Sequence, residues 1–258
     1  MQAFILTKNE EANIGRCLEA LADTGLGVTV LDSGSEDQTV ELAREHDATV
    51  KEYDYINHCQ SYNEITRSLS ADEWCLVLDA DMVVTRKLVD QIRNRIRTHD
   101  VVEAPVQMVW EGQLLRYASL YPPKPIAFRG GREYFEPAGH GERLQPDVEP
   151  ARTTAELRHD DRKPYESYLR NQLRYAEEFA KRAGDKHVGW KDWLRWETPI
   201  GIVAVPFYCL FVKGGILDGR AALIYALDRM IVEAILYRRA LLERTGEESG
   251  PGAPETNR

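Results

Sequence analysis

Hydrophobic and polar positions alternate in short segments through the first hundred residues, and the period switches repeatedly between strand-like and helix-like. Short apolar runs rich in β-branched residues predict strands at residues 4–7, 28–31, 48–53 and 74–78. Between these runs the apolar residues recur at helical spacing, as in Ile14, Cys17, Leu18 and Leu21. A regular alternation of strands and helices predicts an α/β fold with a largely parallel sheet.

The pattern changes after residue 100. Residues 101–110 predict one long strand, and residues 117–150, which are rich in Pro, Gly and Arg, predict loops with short antiparallel strands. Residues 164–182 and 217–242 have helical spacing. The apolar run between them, 199–212, contains Pro206 and is too short and too interrupted for a membrane span, so we expect a buried or interfacial segment.

Composition narrows the class of protein. A chain of 258 residues with 43% hydrophobic content can bury one sizeable core without disulfides. A formal net charge of −9 argues against nucleic acid as a partner. The four cysteines are far apart in apolar contexts, and the apolar run at the N-terminus is too short for a secretory signal. We therefore expect reduced thiols and a cytoplasmic location.

Two carboxylates follow the apolar strand 74–78. Asp79 and Asp81 stand where open α/β sheets bind ligands, at the carboxyl end of a strand. Residues i and i+2 of an extended segment point the same way, so both can face one Mg²⁺ or Mn²⁺ bound together with substrate phosphates. In the alternative interpretation, Asp79 caps the next helix and Asp81 is only solvated.

Two other predicted strand ends are also polar. Thr7-Lys8-Asn9-Glu10 follows the first strand, and Asp32-Ser33-Gly34-Ser35 follows the second. A carboxylate at Asp32 could accept hydrogen bonds from a ribose or a base edge, or it could serve as a helix N-cap. Three such clusters in succession are less readily explained by chance than one.

These three segments resemble a known family. Residues 5–11 (ILTKNEE), 31–39 (LDSGSEDQT) and 78–81 (LDAD) resemble the successive signatures of family 2 glycosyltransferases with the GT-A fold. The resemblance is closest to the bacterial branch that includes lipopolysaccharide core glycosyltransferases. It implies a Rossmann-like, mostly parallel sheet flanked by helices, with a C-terminal helical extension. The chain departs from the pattern at two places. Lys8 stands where many relatives have an aromatic residue, and Tyr62-Asn63 stands where this branch often has Arg-Asn.

The resemblance also implies a reaction and a set of site residues. It implies an inverting transfer of a sugar from a nucleotide-diphosphate donor, with UDP-sugars favoured, to a hydroxyl of a glycan, glycolipid or small molecule in bacterial glycolipid or polysaccharide synthesis. The residues implied in donor and metal binding are Thr7, Glu10 and Asp32 at the nucleoside, Asp79, Ala80 and Asp81 at the metal and diphosphate, and Asn63 beside the donor.

An inverting transfer needs a base that removes the proton of the acceptor hydroxyl. Gly139-His140-Gly141-Glu142 resembles the His-Glu element that this branch places at its acceptor site, with Gly141 inserted. We nominate Glu142 as the base, with Asp147 and Glu136 as weaker candidates. A surface glutamate in a loop is the alternative.

A second polar cluster, residues 159–163 (HDDRK), precedes the helix predicted at 164–182. His159 could complete the metal shell, and Arg162 or Lys163 could clamp the diphosphate. Arg129 and Arg132 are further candidates for phosphate contacts. A charged segment that merely leads into the helix is the alternative interpretation.

The C-terminal third suggests a surface function. Trp190, Trp193 and Trp196 share one helical side near Lys191 and Arg195, a composition typical of membrane interfaces. We expect peripheral contact with the cytoplasmic face of the inner membrane or a homo-oligomer interface, and a core helix pair is the alternative.

The predicted domain division follows from these patterns. A catalytic domain spans 1–163, with a nucleotide-sugar half at about 1–100 and an acceptor half at about 101–163. A helical region follows at 164–246, and a flexible tail at 247–258.

Two other function classes compete. A nucleotidyltransferase acting on a sugar phosphate also uses a Rossmann-like sheet with acidic metal ligands, but no Gly-rich phosphate loop follows the first strand here. A non-catalytic, membrane-associated binding protein could retain the fold without the chemistry. Product analysis separates the first alternative from a glycosyltransferase, and the effect of Asp81→Ala separates the second.

Overall fold

A computed structural model describes residues 1–138, 141–180 and 198–245 of the chain. The chain divides into two compact units, Met1–Pro164 and Tyr165–Arg258. Trp190, Trp193 and Trp196, on which the membrane prediction partly depends, lie outside the described residues.

A seven-stranded sheet forms the centre of the first unit, in the order β12-β6-β9-β4-β1-β2-β3. Its strands are β1 (Gln2–Thr7), β2 (Gly27–Asp32), β3 (Thr49–Glu52), β4 (Trp74–Asp79), β6 (Val101–Ala104), β9 (Lys124–Arg129) and β12 (Ala151–Arg152). The first four are parallel, and β9 runs antiparallel to both of its neighbours. The predicted α/β class and mostly parallel sheet are confirmed.

Helices cover both faces of this sheet, and the alternation of side chains along β1 explains why. Ala3 and Ile5 belong to one buried cluster, whereas Phe4 and Leu6 belong to the other, as a strand's period of two requires. The four helices are α1 (Ile14–Ala22), α2 (Thr39–Glu45), α3 (His58–Ser68) and α4 (Arg86–Arg95). The apolar faces of α1 and α4 pack in the first cluster and that of α3 in the second. Each fully buried Leu or Ile contributes about 1.5–3 kcal/mol.

The predicted strand 101–110 is in fact two strands in two different sheets. β6 ends at Ala104, and β7 (Val106–Trp110) joins a four-stranded sheet in the order β5-β13-β7-β8. Pro105 separates them because it has no N–H to continue a ladder, and its carbonyl accepts from Leu157 N at 2.9 Å. The other strands of this sheet are β5 (Met82–Val83), β8 (Gln113–Leu115) and β13 (Leu157–His159). β10 (Phe135–Ala138) and β11 (Gly141–Leu144) pair as a separate antiparallel ribbon.

The second unit is helical in its described part. It contains α5 (Tyr165–Ala180), α6 (Ile200–Phe207), a π turn (Tyr208–Val212), a 3₁₀ turn (Gly215–Asp218) and α7 (Arg220–Thr245). The apolar run stays helical through Pro206, contrary to the predicted interruption, and it widens into the π turn two residues after the proline. Within the described ranges, no helix combines the length and apolar character needed to cross a bilayer.

Candidate active site

The predicted polar clusters meet at one edge of the central sheet. β1, β2 and β4 are parallel neighbours, with Thr7 opposite Asp32 and Leu6 opposite Asp79 in the register. The carboxyl ends of these strands therefore lie side by side, as expected for a ligand site in an open α/β sheet. The topology brings Thr7, Asp32 and Asp79 together.

Asp32 is fully engaged by its own loop. Its Oδ1 accepts from Thr7 Oγ1 at 3.1 Å and from Ser35 Oγ at 2.5 Å, and its Oδ2 accepts from the backbone N of Gly34 at 3.1 Å and of Ser35 at 2.9 Å. Gly34 has a φ of 78°, which glycine adopts without strain. These four bonds use the usual acceptor capacity of a carboxylate and shape the turn after β2. Asp32 does not cap α2, since Gln38 stands at that N-cap.

Asp79 is paired with a lysine from the antiparallel strand. The β4–β9 register matches Leu76 with Ala127, so three residues onward along β4 and three residues back along β9 bring Lys124 opposite Asp79. Lys124 Nζ donates to Asp79 Oδ2 in a largely buried ion pair. Burial raises the pKa of Asp79, but Lys124 outweighs this and holds that pKa below its usual value. Asp79 does not cap α4, because the Thr85 side chain accepts from Leu88 N there.

Asp81 faces His159, and the second sheet positions the two residues. β13 pairs with β5 so that His159 stands opposite Met82, and Asp160 N donates to the Asp81 carbonyl at 2.9 Å. His159 Nε2 lies 3.3 Å from Asp81 Oδ2. Burial lowers the pKa of His159 and raises that of Asp81, but their mutual attraction outweighs burial and shifts both in the opposite direction.

Three buried polar atoms at this edge have no hydrogen-bond partner among the described residues: Asp79 Oδ1, Asp81 Oδ1 and His159 Nδ1. Buried polar atoms are normally satisfied, so this arrangement suits a ligand that supplies the missing contacts. Their oxygen-rich chemistry matches Mg²⁺ or Mn²⁺. However, no group of three or more His, Cys, Asp or Glu side chains that could hold a metal ion occurs in the part of the chain that the structure describes.

Residues 160–163 fold back onto the segment that follows β1. Lys163 Nζ donates to Glu10 Oε1 at 2.5 Å, and Arg16 Nη1 contacts Asp160 Oδ2 at 2.5 Å. Burial raises the pKa of Glu10 above its usual value despite Lys163. Arg162 donates to Asp160 Oδ2 at 3.1 Å, but its side chain is 59% exposed. The cluster is therefore attached to the active-site edge, and does more than lead into α5.

Asn63 and Ala80 are the remaining candidates for donor contacts. Asn63 Oδ1 accepts from the backbone N of Tyr134 and Phe135, each at 3.0 Å, so its amide links α3 to β10. Ala80 is buried between the two aspartates. Thr7, Glu10, Asp32, Asn63 and Ala80 remain predictions as donor contacts.

The candidates for the base lie on and beside the β10–β11 ribbon. Glu142 lies on β11, where its backbone pairs with that of Pro137. Its side chain is not part of the structure that is described. Glu136 contacts Arg143 Nη2 at 2.5 Å, and Asp147 contacts Arg132 at 3.0 Å. The choice of Glu142 remains a prediction.

Arg129 lies at the end of the sheet opposite to Asp79 and Asp81, so it cannot contact a phosphate bound beside them. It pairs with Trp74, the first residue of β4, and bonds to Asp100, whereas the aspartates follow the other end of β4. Its place in the register, set by an antiparallel strand, could not be read from the sequence.

Lys124 and Asn13 were missed by the sequence analysis. Lys124 begins β9 between two prolines and is followed by four apolar residues, and such a cation at a strand end is a weak signal. Asn13 is 1% exposed beside Ile14 and one helical turn before Cys17, so it is a polar residue on the buried face of a helical pattern. A polar residue at a core position of an amphipathic helix could have identified it.

The family comparison covers more than half of the chain. The model of the family described as Glycosyl transferase family 2 matches residues 3–141. An uncharacterized glycosyltransferase of Rickettsia felis is 32% identical over 100 residues, 39% of this chain and 35% of that protein. Another, of Rickettsia typhi, is 30% identical over 100 residues, 39% of this chain and 34% of that protein. The match thus spans about a third of the length of these relatives.

Solved structures of low sequence identity are also similar. Glucosyl-3-phosphoglycerate synthase from Mycobacterium tuberculosis, in complex with Mn²⁺, UDP and glucosyl-3-phosphoglycerate, is 18% identical with a TM-score of 0.47 and covers 73% of this chain and 82% of that one. The structure of TarS residues 1–349 from S. aureus is 13% identical in sequence, with a TM-score of 0.41. The match covers 95% of this chain and 92% of that one.

Proposed function

The chain belongs to glycosyl transferase family 2, and on this basis we propose that it is an inverting enzyme that moves a sugar from a nucleotide-diphosphate donor, first of all a UDP-sugar, to an acceptor hydroxyl. The observation that carries the proposal is the pair of buried, unbonded oxygens, Asp79 Oδ1 and Asp81 Oδ1, at the edge where three parallel strands end. A ligand that brings positive charge or donors to these oxygens restores their missing interactions.

A divalent ion, Mg²⁺ or Mn²⁺, is the ligand that we propose for Asp81, with Asp79 and His159 beside it. Such an ion is usually held by one or two carboxylates together with substrate phosphates, so Asp81 and Asp79 would share it with the diphosphate of the donor. When bound, it would neutralise charge on the departing diphosphate.

The chain's own groups would orient the donor and acceptor. Lys163 and Arg162 would contact the diphosphate oxygens, for which ammonium and guanidinium groups are suited. Glu142 would accept the proton of the acceptor hydroxyl as it attacks from the face opposite the diphosphate. Thr7, Glu10, Asp32, Asn63 and Ala80 are the proposed surroundings of the nucleoside and its first phosphate.

Product analysis tests this function. Purified protein is incubated with a panel of nucleotide sugars and acceptors in Mn²⁺, and the released nucleotide is identified by chromatography. The proposal predicts nucleoside diphosphate in amounts equal to glycosylated acceptor, with UDP-sugars the most active donors. Pyrophosphate released from a nucleoside triphosphate and a sugar phosphate would establish the nucleotidyltransferase alternative instead.

The role of Glu142 is tested separately. Glu142→Gln keeps the size of the side chain but removes the base, so turnover should fall on the order of 10²-fold with donor binding unchanged. Glu136→Gln is the matched control on the same ribbon, and should retain turnover. Near-normal turnover in Glu142→Gln would transfer the role to another carboxylate.

We also propose that the second unit contacts the cytoplasmic face of a bacterial inner membrane, where a glycolipid or lipopolysaccharide-core acceptor would be found. Phe207 and Phe211 are each 55% exposed and Leu217 is 74% exposed, and Lys213 lies between them in sequence. Apolar side chains together with a cation suit an anionic lipid surface. Sedimentation with anionic vesicles should pellet the protein, and Phe211→Ser with Leu217→Ser should reduce binding. Concentration-dependent self-association without vesicle binding would instead indicate a homo-oligomer interface.

A further inference from the structure

The Asn13 side chain makes a complete set of hydrogen bonds between two distant parts of the chain. Its Nδ2 donates to Glu10 Oε2 and to Asp161 Oδ1, both at 2.8 Å. Its Oδ1 accepts from Arg16 Nη2 at 2.8 Å and from the backbone N of Arg162 at 2.9 Å. An amide has two donors and two acceptor lone pairs, so every position is used.

The ion pairs around Asn13 connect the same two segments. On one side are Glu10 and Arg16, which flank Asn13 at the start of α1, and on the other is the segment Asp160 to Lys163. Glu10 holds Lys163, and Arg16 holds Asp160. We call this set, together with Asn13, the clasp. The clasp adjoins the candidate metal site, because Asp160 N is bonded to the Asp81 carbonyl.

We propose that Asn13 is a positioning residue that fixes Lys163 and the Arg162 backbone at the diphosphate side of the donor site. This inference rests on the proposed function, since it requires a nucleoside diphosphate to bind beside Asp81. Asn13 would not touch the donor itself. It would act by holding Glu10, and through Glu10 the ammonium group of Lys163.

The chemistry of the clasp explains why an amide stands at its centre. Asn13 is almost completely buried among charged groups, including Glu10, Arg16 and Asp161. An aspartate would place a third negative charge against Glu10 and Asp161, and an apolar residue would remove one hydrogen bond from each of the four partners. A neutral group with two donors and two acceptors connects them without adding charge.

The clasp should strengthen binding of the diphosphate part of the donor more than binding of its nucleoside part. A lysine that is already ordered loses less side-chain entropy when it binds a phosphate than a lysine that moves freely. Ordering of one long side chain changes affinity by about threefold to tenfold. Loss of Asn13 should therefore weaken binding of a nucleoside diphosphate more than binding of the nucleoside, which Glu10 also contacts in the proposed function.

Isothermal titration calorimetry with UDP and with uridine, both in Mg²⁺, tests the inference. For Asn13→Ala we expect UDP affinity to fall about tenfold and uridine affinity to fall clearly less, and for Asn13→Asp a larger fall in UDP affinity. Gln91→Ala is the matched control, because Gln91 also bonds the backbone of a loop through its amide, at Thr154 and Ala155. It should leave both affinities unchanged. Equal losses of UDP and uridine affinity in Asn13→Ala would overturn the positioning role.

A second variant keeps the test decisive if Asn13→Ala does not fold. Lys163→Met should show the same selective loss of UDP affinity, and the double variant Asn13→Ala/Lys163→Met should be no weaker than Lys163→Met alone, because both act through one group. Unchanged UDP affinity in Lys163→Met would refute the inference while leaving the proposed function intact. Wild-type protein that binds no nucleoside diphosphate would refute the proposed function, and the inference with it.

Discussion

The loop after β2 and the segment after β4 occupy equivalent places in the sheet but have opposite hydrogen-bonding states. Each puts an aspartate at or just beyond the carboxyl end of a parallel strand. Asp32 accepts four hydrogen bonds from Thr7 and its own turn, whereas Asp79 and Asp81 each retain a buried oxygen without a partner in the described chain. Position at a strand end therefore does not by itself distinguish a ligand-binding carboxylate from one that shapes a loop. The buried oxygens without a partner are the reason that we propose the metal at Asp79 and Asp81 rather than at Asp32.

The largest expected effect comes from removing the unsatisfied carboxylate. Asp81→Ala should lower turnover on the order of 10³-fold, because it removes the proposed support of the ion at the diphosphate. The melting temperature at pH 8 should change little, because burial lowers the pKa of His159 once the Asp81 carboxylate is removed, so the imidazole is neutral and leaves no buried charge. Initial rates and thermal melting measure the two quantities.

Asp100→Ala is the control for that prediction. Asp100 bonds to Arg129 at the opposite edge of the sheet, so its loss should leave the rate unchanged. Retained turnover in Asp81→Ala would mean that a buried, unbonded oxygen does not mark a functional carboxylate here.

The next largest effect is expected at Lys124, whose ammonium group pairs with the Asp79 carboxylate. Lys124→Met should lower the free energy of unfolding by about 3 kcal/mol, because it leaves the Asp79 carboxylate buried without a counter-charge. Mn²⁺ together with UDP should restore part of the loss, since ligands that bind the native state stabilise it. Denaturant titrations with and without these ligands would measure both changes. No loss in Lys124→Met would mean that Asp79 does not depend on this pair.

A smaller effect is expected at the satisfied carboxylate. Asp32→Ala removes the acceptor for Thr7, Ser35 and two backbone N–H groups, and should cost about 2 kcal/mol of stability. A rate loss no larger than the loss of folded protein would place Asp32 in the loop alone. A raised Km for the donor with unchanged melting would place Asp32 at the nucleoside and weaken the contrast with Asp81.

The smallest effect is expected at the Ser35 hydroxyl. Ser35→Ala removes the hydroxyl that donates to Asp32 Oδ1 at 2.5 Å and accepts from Asn9 N at 2.8 Å, but leaves the backbone bond of Ser35 to Asp32. About 1 kcal/mol should be lost, measurable as a shift in the urea midpoint with an unchanged slope. A loss equal to that of Asp32→Ala would mean that the turn depends on this hydroxyl.

The sequence predicts the parallel half of the fold well, because local periodicity determines it. The buried face of α1 contains Ile14, Cys17, Leu18 and Leu21 as predicted. The strand predicted at 74–78 ends one residue later at Asp79. In both cases the signal lies within about ten residues of chain, so no tertiary information is needed.

Contacts between distant segments could not be predicted in this way. The partner of Asp79 comes from an antiparallel strand 45 residues away, and Asn13 reaches Asp161 across 148 residues. The division of residues 101–110 at Pro105 depends on which sheet each half joins. Such pairings are set by register and packing of the whole unit, to which a single sequence gives little access.

The reversed direction of β9 has a consequence for how this enzyme can diversify. A parallel strand offers a ligand its final residue, but β9 offers its first, Lys124. The segment that leads into β9, residues 116–123, therefore arrives at the same edge from outside β1, β2 and β4. Its exposed side chains, such as Tyr117, can vary without shifting those strands, so in the proposed function a change of acceptor need not disturb the donor site.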